Sequence, residues 1–246
     1  MNEEITVVCS AWHKQKHLDL YFRQHAQALL HQTIPVKIIY VSDGGSVLEA
    51  PDPRVTMVTV SAGIATAEAF NVGLALANTP FFATLNIDDF FFRNSLELQV
   101  GAMKQLELDA FFGDWEIRFT EEGDIDRPCQ PLDAYMPCKN WPPEQEERLR
   151  LGNGDGHRGS WGPAPVFRTA ALKELGGFPK TFGDGTPIPT IIDFIVWQRF
   201  LKAGKQVSRG AIVVGSYYSN PGTQQEFRGN SIAVEHQRYE QYGAMV

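Results

Sequence analysis

The run Phe81-Phe82-Ala83-Thr84-Leu85-Asn86-Ile87-Asp88-Asp89 is apolar enough to be a buried strand, and it ends on two adjacent carboxylates. In an open α/β sheet, ligands bind at the carboxyl ends of the strands. Hard cations such as Mg²⁺ use one or two carboxylates together with substrate phosphate oxygens. A strand that delivers Asp88 and Asp89 to that edge is therefore suited to hold a divalent cation against a phosphate. The same pair is equally suited to cap a following helix, because Asp is a favoured N-cap residue.

Periodicity shows which elements must position these acids. Ile5–Cys9, Val36–Val41 and Val55–Val60 are short, β-branched or apolar runs, expected as strands of a parallel sheet. Leu18, Phe22, Ala26 and Leu29 recur at helical spacing over Leu18–Leu30. Ala65–Ala77 reads as an alanine-rich helix interrupted by Gly73, and Leu96, Val100, Met103 and Leu106 mark a third helix. A strand begins at Ala110–Gly113 and continues toward Phe119. Thr169–Leu175 is a short helix stopped by Gly176. Ile191–Ala203 is a firmer helix with Phe194, Trp197 and Leu201 on one face, Trp197 being read as a core residue. Ala211–Val214 is a further strand, and Ser231–Tyr242 a polar terminal helix. The order β-α-β-β-α-β-α-β with short connections belongs to a mostly parallel, doubly wound α/β sheet flanked by helices. Its functional edge carries Ser10–His13, Asp43 and Asp88, because each follows a strand.

Composition narrows the function class. A chain of 246 residues suits one compact domain. The net charge of −7 argues against nucleic-acid backbones as partners, which require clustered Lys and Arg. Met1-Asn2-Glu3-Glu4-Ile5 lacks the basic-then-apolar pattern of a secretory signal. No apolar run approaches the length of a membrane span. The expectation is a cytoplasmic protein, at most peripheral to a membrane. Cys9, Cys129 and Cys138 have no zinc-like spacing and are expected as free thiols of a reducing compartment. Between residues 120 and 160 regular periodicity fades, and so long a stretch within a compact domain is usually functional or mobile.

Five motifs in order suggest a family. Val41-Ser42-Asp43-Gly44-Gly45-Ser46, Phe70-Asn71-Val72-Gly73-Leu74 and Leu85-Asn86-Ile87-Asp88-Asp89 are followed by Leu172-Lys173-Glu174-Leu175-Gly176-Gly177-Phe178 and Ile192-Asp193-Phe194-Ile195-Val196-Trp197-Gln198-Arg199. Together they resemble the inverting family 2 glycosyltransferases of the glycosyltransferase-A fold. These carry a D-D-G-S strand end, an R-N-x-G-L helix, a D-x-D strand end, a G-G-F segment and an E-D-x-D-L-W-x-R helix. The resemblance implies one domain with two halves. Residues 1–118 would bind the nucleotide-sugar, and residues 119–246 the acceptor, with 120–160 as its variable segment.

The resemblance also implies roles for residues. Asp43 would bind the uracil of a UDP-sugar, with Ser10, Ala11 and Trp12 against the base and His13 a helper at the phosphates. Asn71, Asn86 and Ile87 would complete the donor site, and Trp161, with Gly162, would shape the sugar or acceptor pocket. Asp88, with Asp89 close by, would ligate a manganese or magnesium ion bridging the two phosphates. Asp193 would be the general base that takes the proton of the acceptor hydroxyl, the acceptor being a carbohydrate or a lipid-linked sugar. The implied activity is a hexosyltransferase-type reaction of polysaccharide biosynthesis. One base suffices for inversion, because no covalent sugar intermediate forms, and a metal Lewis acid stabilises the leaving diphosphate.

The chain also departs from the family pattern. Asn86 stands for the first Asp of D-x-D, Phe70 for the helix Arg, Ile192 for the Glu before the base and Asn220 for the His of the Y-x-x-H-P-G tail, here Tyr217-Tyr218-Ser219-Asn220-Pro221-Gly222. These departures keep open a degenerate nucleotide-sugar-binding protein. A nucleotidyltransferase is disfavoured, because Ser10-Ala11-Trp12-His13 lacks a Gly-rich basic loop. Simpler structural roles also stand beside the functional ones. Asp43 is equally a turn residue. Asp193 is equally a helix N-cap, and Asp184, between Gly183 and Gly185, is a rival base or a turn residue. His13 and His17 have helical spacing but no third ligand, which argues against zinc. His157 and Arg158 sit in a Gly-rich loop, facing diphosphate, acceptor or solvent.

Overall fold

Alternation along the strands builds two cores on one sheet. In β1 (Ile5–Ala11) the odd-numbered residues Ile5, Val7, Cys9 and Ala11 enter one core, while Val8 enters the other. β2 (Val36–Ser42) does the same, with Val36, Ile38 and Tyr40 on one face and Ile39 and Val41 on the opposite one. A strand with both faces apolar must be covered on both sides. Helices α1 (Leu18–Leu30) and α3 (Ser95–Gln105) cover the first face. Helices α2 (Thr66–Leu76), α4 (Thr169–Glu174) and α5 (Ile192–Lys202) cover the second. The doubly wound arrangement expected from the sequence is therefore the one adopted.

A computed structural model of the chain describes residues 4–12, 14–43, 48–61, 63–129, 135–137, 158–159, 164–218 and 229–245. Within these, β3 (Val55–Thr59) and β4 (Phe81–Thr84) flank β2 and β1 in the order β3-β2-β1-β4, all parallel. The sheet continues through β9 (Val166–Arg168), which is antiparallel to β4 and to β6 (Ala110–Arg118). Next comes β11 (Val207–Tyr218), parallel to β6, with the short β5 (Phe90–Phe91) antiparallel at its far side. β7 (Tyr135–Pro137) joins β11 and β8 (Arg158–Gly159) joins β6. Every parallel ladder is longer than any antiparallel one, which makes the sheet mostly parallel. Apart from it, β10 (Thr181–Phe182) pairs with β12 (Ala244–Met245), tying the chain's end to the segment before α5. Helix α6 (Gly229–Tyr242) immediately precedes β12. None of the described helices is long and apolar enough to cross a membrane.

Two sequence expectations are corrected. The strand expected at Ala211–Val214 extends to Val207–Tyr218, because it borders β6 over most of its length. The strand that opens the acid pair ends at Thr84, and Leu85–Asp89 is a turn closed by the Asp89 N–H on the Asn86 carbonyl at 3.1 Å. Neither Asp88 nor Asp89 caps a helix, since α3 starts at Ser95 behind Asn94. Helix α2 runs unbroken through Gly73, and the glycine has a packing cause. A Cβ at Gly73 would lie 2.4 Å from both Val8 Cγ atoms, so only glycine lets α2 approach β1 this closely.

The first core encloses an ionisable pair. His25 on α1 is 1% exposed, and its Nδ1 lies 2.6 Å from the Tyr40 hydroxyl. Burial pushes the imidazole pKa down to about 3. The unfolded chain would bind the proton near pH 6.5. A lowered folded pKa means the stability is complete above that pH and is lost as the pH falls from about 6.5 toward 3. The loss is about 1.4 kcal/mol for each unit in that window. Urea unfolding at pH 7 and pH 5 should show this slope in the parent and not in His25→Phe/Tyr40→Phe, which removes both polar partners. Equal slopes in the two proteins would exclude His25 as the source. Cys9 and Cys129 are buried free thiols whose pKa values burial raises, so neither is a reactive nucleophile. Cys138 lies outside the described residues.

Candidate active site

The carboxyl ends of β1, β2 and β4 meet at one edge because their registers are aligned. Ala11 is opposite Ser42, the Asp43 N–H donates to the Ala11 carbonyl at 3.3 Å, and the Leu85 N–H donates to the Val8 carbonyl at 3.0 Å. Ser10, Ala11, Trp12, Asp43 and the Asn86–Asp89 turn are thereby gathered from three separate stretches of chain. A cavity of about 280 Å³ opens at this edge. Ser10 lines it from β1, Trp12 from just past the end of β1, and Asn86, Ile87 and Asp88 from the turn after β4. Asp193 lines it from the first turn of α5, and Tyr217 from the end of β11. Asp88 and Asp193, distant in sequence, thus face one space.

The acid pair divides its labour. Asp88 faces the cavity and is half-buried, whereas Asp89 is 1% exposed and turned inward. Asp89 accepts the Tyr218 N–H at 2.8 Å and the Asn86 amide at 3.2 Å, bracing the turn against β11. Burial, and then the neighbouring Asp88 charge, hold the Asp89 pKa well above the usual carboxylate range. The expected direct metal role of Asp89 does not match this inward placement; of the pair, Asp88 is the one that lines the cavity.

Arg118, which the sequence reading missed, anchors the turn from behind. Its guanidinium donates to the carbonyls of Asp88, Ser216 (3.2 Å) and Thr120 (3.1 Å). The same group lies between the Phe90 and Tyr218 rings, 4.8 and 5.0 Å from their centroids. The reach of Asp88 into the cavity is therefore set by its own main chain, which Arg118 holds.

Asp193 is the second residue of α5, so the N-cap reading fails; the preceding position is Ile191. Its carboxylate accepts the Phe194 N–H at 2.8 Å. It is exposed toward the cavity, and the protein around that cavity removes enough solvation to raise its pKa despite the N–H contact and the nearby His236. A carboxylate shifted upward is a stronger proton acceptor once ionised. Tyr217 also went unassigned in the sequence, though it was quoted in the tail motif. Burial, followed by the charges of Asp89, Asp88 and Asp193, raises its hydroxyl pKa. The rival Asp184 is a turn residue, paired with Arg238 at 2.6 Å and accepting the Thr186 N–H at 2.9 Å.

Other expected residues are distributed as follows. Asn71 does not line the cavity. Its amide clasps Phe178, donating to the carbonyl at 2.8 Å and accepting the N–H at 2.9 Å. Gly177, with φ of +74°, leaves the room this clasp needs, since a Cβ there would meet Asn71 Oδ1 at 2.5 Å. Half-buried Asn71 thus spends both ends of its amide on a fold contact. Phe70, in place of the family Arg, lines the cavity and packs on Phe178 at 5.2 Å. Trp197 is fully buried as expected, though one edge borders the cavity. His17 lies 3.3 Å from Glu121. His13, Gly44–Ser46, His157, Trp161, Gly162 and Asn220 fall outside the described residues.

A divalent cation fits this edge only in part. Among the described residues no three His, Cys, Asp or Glu side chains converge. Asp88 is the one carboxylate that the turn presents to the cavity, with the exposed Asn86 beside it. That set suits a hard cation whose remaining ligands are phosphate oxygens and water, the usual manner of Mg²⁺ binding.

Comparison with known proteins follows the same geometry. Residues 21–176 match the family described as Glycosyl transferase family 2. Among solved structures, S. aureus TarS 1-349 superposes with a TM-score of 0.61 at 13% identity, covering 96% of this chain and 71% of that one. Its complex with UDP-GlcNAc gives a TM-score of 0.60 at 13% identity, over 91% of this chain and 60% of that one. Its complex with UDP gives 0.55 at 13% identity, over 94% and 65%. The chain thus spans about three-fifths of the length of the UDP-GlcNAc-bound structure, and at this identity the likeness carries the fold alone. No curated protein matches the sequence. A family match over more than half of the chain, on a sheet whose edge gathers its motifs, shows that this protein belongs to glycosyl transferase family 2.

Proposed function

We propose that the protein moves a sugar from a UDP-linked donor to a hydroxyl of a carbohydrate or lipid-linked acceptor, with inversion at the anomeric carbon. The observation that carries this reading is the shared cavity, with Asp88 on one wall and Asp193 on another. The acceptor hydroxyl attacks the anomeric carbon as Asp193 takes its proton, and the bond to UDP breaks on the opposite face of the sugar. Trp12, 40% exposed at the cavity rim, offers a ring against which a base stacks, and Asp43, buried at the adjacent strand end and outside the cavity lining, would read the uracil. Asp88 and Asn86 would hold a manganese or magnesium ion. When bound, that ion supplies charge stabilisation to the departing diphosphate. TarS, a structural neighbour, is known in complexes with UDP and UDP-GlcNAc, which supports a UDP-linked donor.

Calorimetry with UDP in the presence and absence of Mn²⁺, followed by hydrolysis of a UDP-sugar panel, tests the reading. The expected result is UDP binding tightened by Mn²⁺ and slow release of UDP from at least one donor. Absence of UDP binding would end it. Binding without turnover on any donor or acceptor would favour a sugar-nucleotide binder, the reading that Phe70 in place of a cation supports.

A further inference from the structure

One buried carboxylate beside the cavity has no part in the chemistry above. Glu235, on α6, is 5% exposed and points at the entry of α5. Its Oε2 accepts the N–H groups of Thr190 at 3.1 Å and Ile191 at 3.3 Å, while Oε1 accepts the Thr190 hydroxyl at 2.6 Å. A helix start leaves its first N–H groups without intrahelical partners, and a side chain at the N-cap usually takes one of them. Here the N-cap residue is Ile191, whose side chain accepts nothing. The acceptor instead comes from more than forty residues away in sequence.

The same helix grips the first turn of α5 a second time. The His236 ring meets Phe194 edge-on at 4.4 Å, and Tyr239 meets it at 5.8 Å. Phe194 is the residue whose N–H holds the Asp193 carboxylate. Ile191, two residues before Asp193, and Phe194, directly after it, are therefore both held by α6.

We propose that Glu235 is a positioning residue for Asp193, fixing the first turn of α5 so that the carboxylate reaches the acceptor hydroxyl. The inference rests on the reading of Asp193 as the base. A displacement of a reacting group by about 1 Å costs on the order of 100-fold in rate. The loss of the cap is accordingly expected to lower turnover and leave donor binding, which uses the β1, β2 and β4 ends, untouched.

The test compares Glu235→Ala, Glu235→Gln and Arg238→Ala with the parent, using UDP-GlcNAc hydrolysis and UDP titration. Arg238→Ala removes another contact of α6, the ion pair to Asp184, without touching the cap. Glu235→Ala is expected to lower kcat by about 10- to 100-fold, with KM and UDP affinity within about twofold of the parent. Glu235→Gln, which keeps an acceptor oxygen and the shape, should restore kcat to within about threefold, and Arg238→Ala should retain it. Hydrogen exchange over residues 190–196 reads the same turn without turnover, and also decides the matter where hydrolysis is undetectable. Exchange should quicken in Glu235→Ala alone.

Unchanged kcat and exchange in Glu235→Ala would overturn the proposal. So would a loss shared equally with UDP affinity, or an equal loss in Arg238→Ala. Should Glu235→Ala not fold, Thr190→Val, which removes only the hydroxyl, must show a smaller kcat loss in the same direction. An active Asp193→Asn would instead remove the base assignment itself, whatever Glu235 does.

Discussion

Sugar transfer by Asp193→Asn is expected to fall by about 10²–10⁴-fold, the usual contribution of a positioned general base, with UDP affinity unchanged. The argument begins with shape. Asn has the outline of Asp and accepts the Phe194 N–H through its oxygen, so the first turn of α5 is kept. Only the proton acceptor is lost. Desolvation at the cavity raises the Asp193 pKa, but the side chain is exposed, so the shift carries little stability. The melting temperature should therefore stay close to that of the parent. The same shift predicts that the acidic limb of the parent's rate profile lies above the pH of an ordinary Asp. Among the described residues, His236 acts electrostatically on this carboxylate, and the carboxylate in turn on Tyr217. Transfer rates retained in the Asn variant would remove Asp193 from the chemistry.

Asp88→Ala and Asp89→Ala, one residue apart, should fail in different ways. Asp88 presents its side chain to the cavity, while Arg118 and the turn hold its main chain. Truncation at this position should leave the fold intact and abolish the enhancement of UDP binding by Mn²⁺. The expected weakening in the presence of Mn²⁺ is at least about tenfold, or about 1.4 kcal/mol. Asp89 is buried and accepts the Tyr218 N–H. Its truncation leaves that donor without a partner inside the protein, costing about 1–3 kcal/mol of stability. Calorimetry with UDP and Mn²⁺ and urea denaturation separate the two outcomes. A metal response preserved in a folded Asp88→Ala protein would show that the ion is held elsewhere.

Local pattern was enough to reveal much of this protein. Apolar runs such as Ile5–Cys9 and Val36–Val41 mark strands because a strand buried on both faces has no polar positions to hide. The helical spacing of Leu18, Phe22, Ala26 and Leu29 marks α1 for the same kind of reason, and five short motifs in order mark the family. Asp88 could be named because it follows an apolar strand run, and Asp193 because the family resemblance implied a base at that position.

Tertiary structure decided what each of these residues faces. Adjacent carboxylates such as Asp88 and Asp89 look alike in sequence, yet the turn after β4 points one at the cavity and the other at β11. Asn71 and Gly177 form a clasp between segments about a hundred residues apart, which no local periodicity encodes. Arg118, Tyr217 and Glu235 were invisible for the same reason. Their partners are backbone groups and charges brought near by β6, β11 and α6, and a hydrogen bond across folded chain leaves no spacing signal behind it.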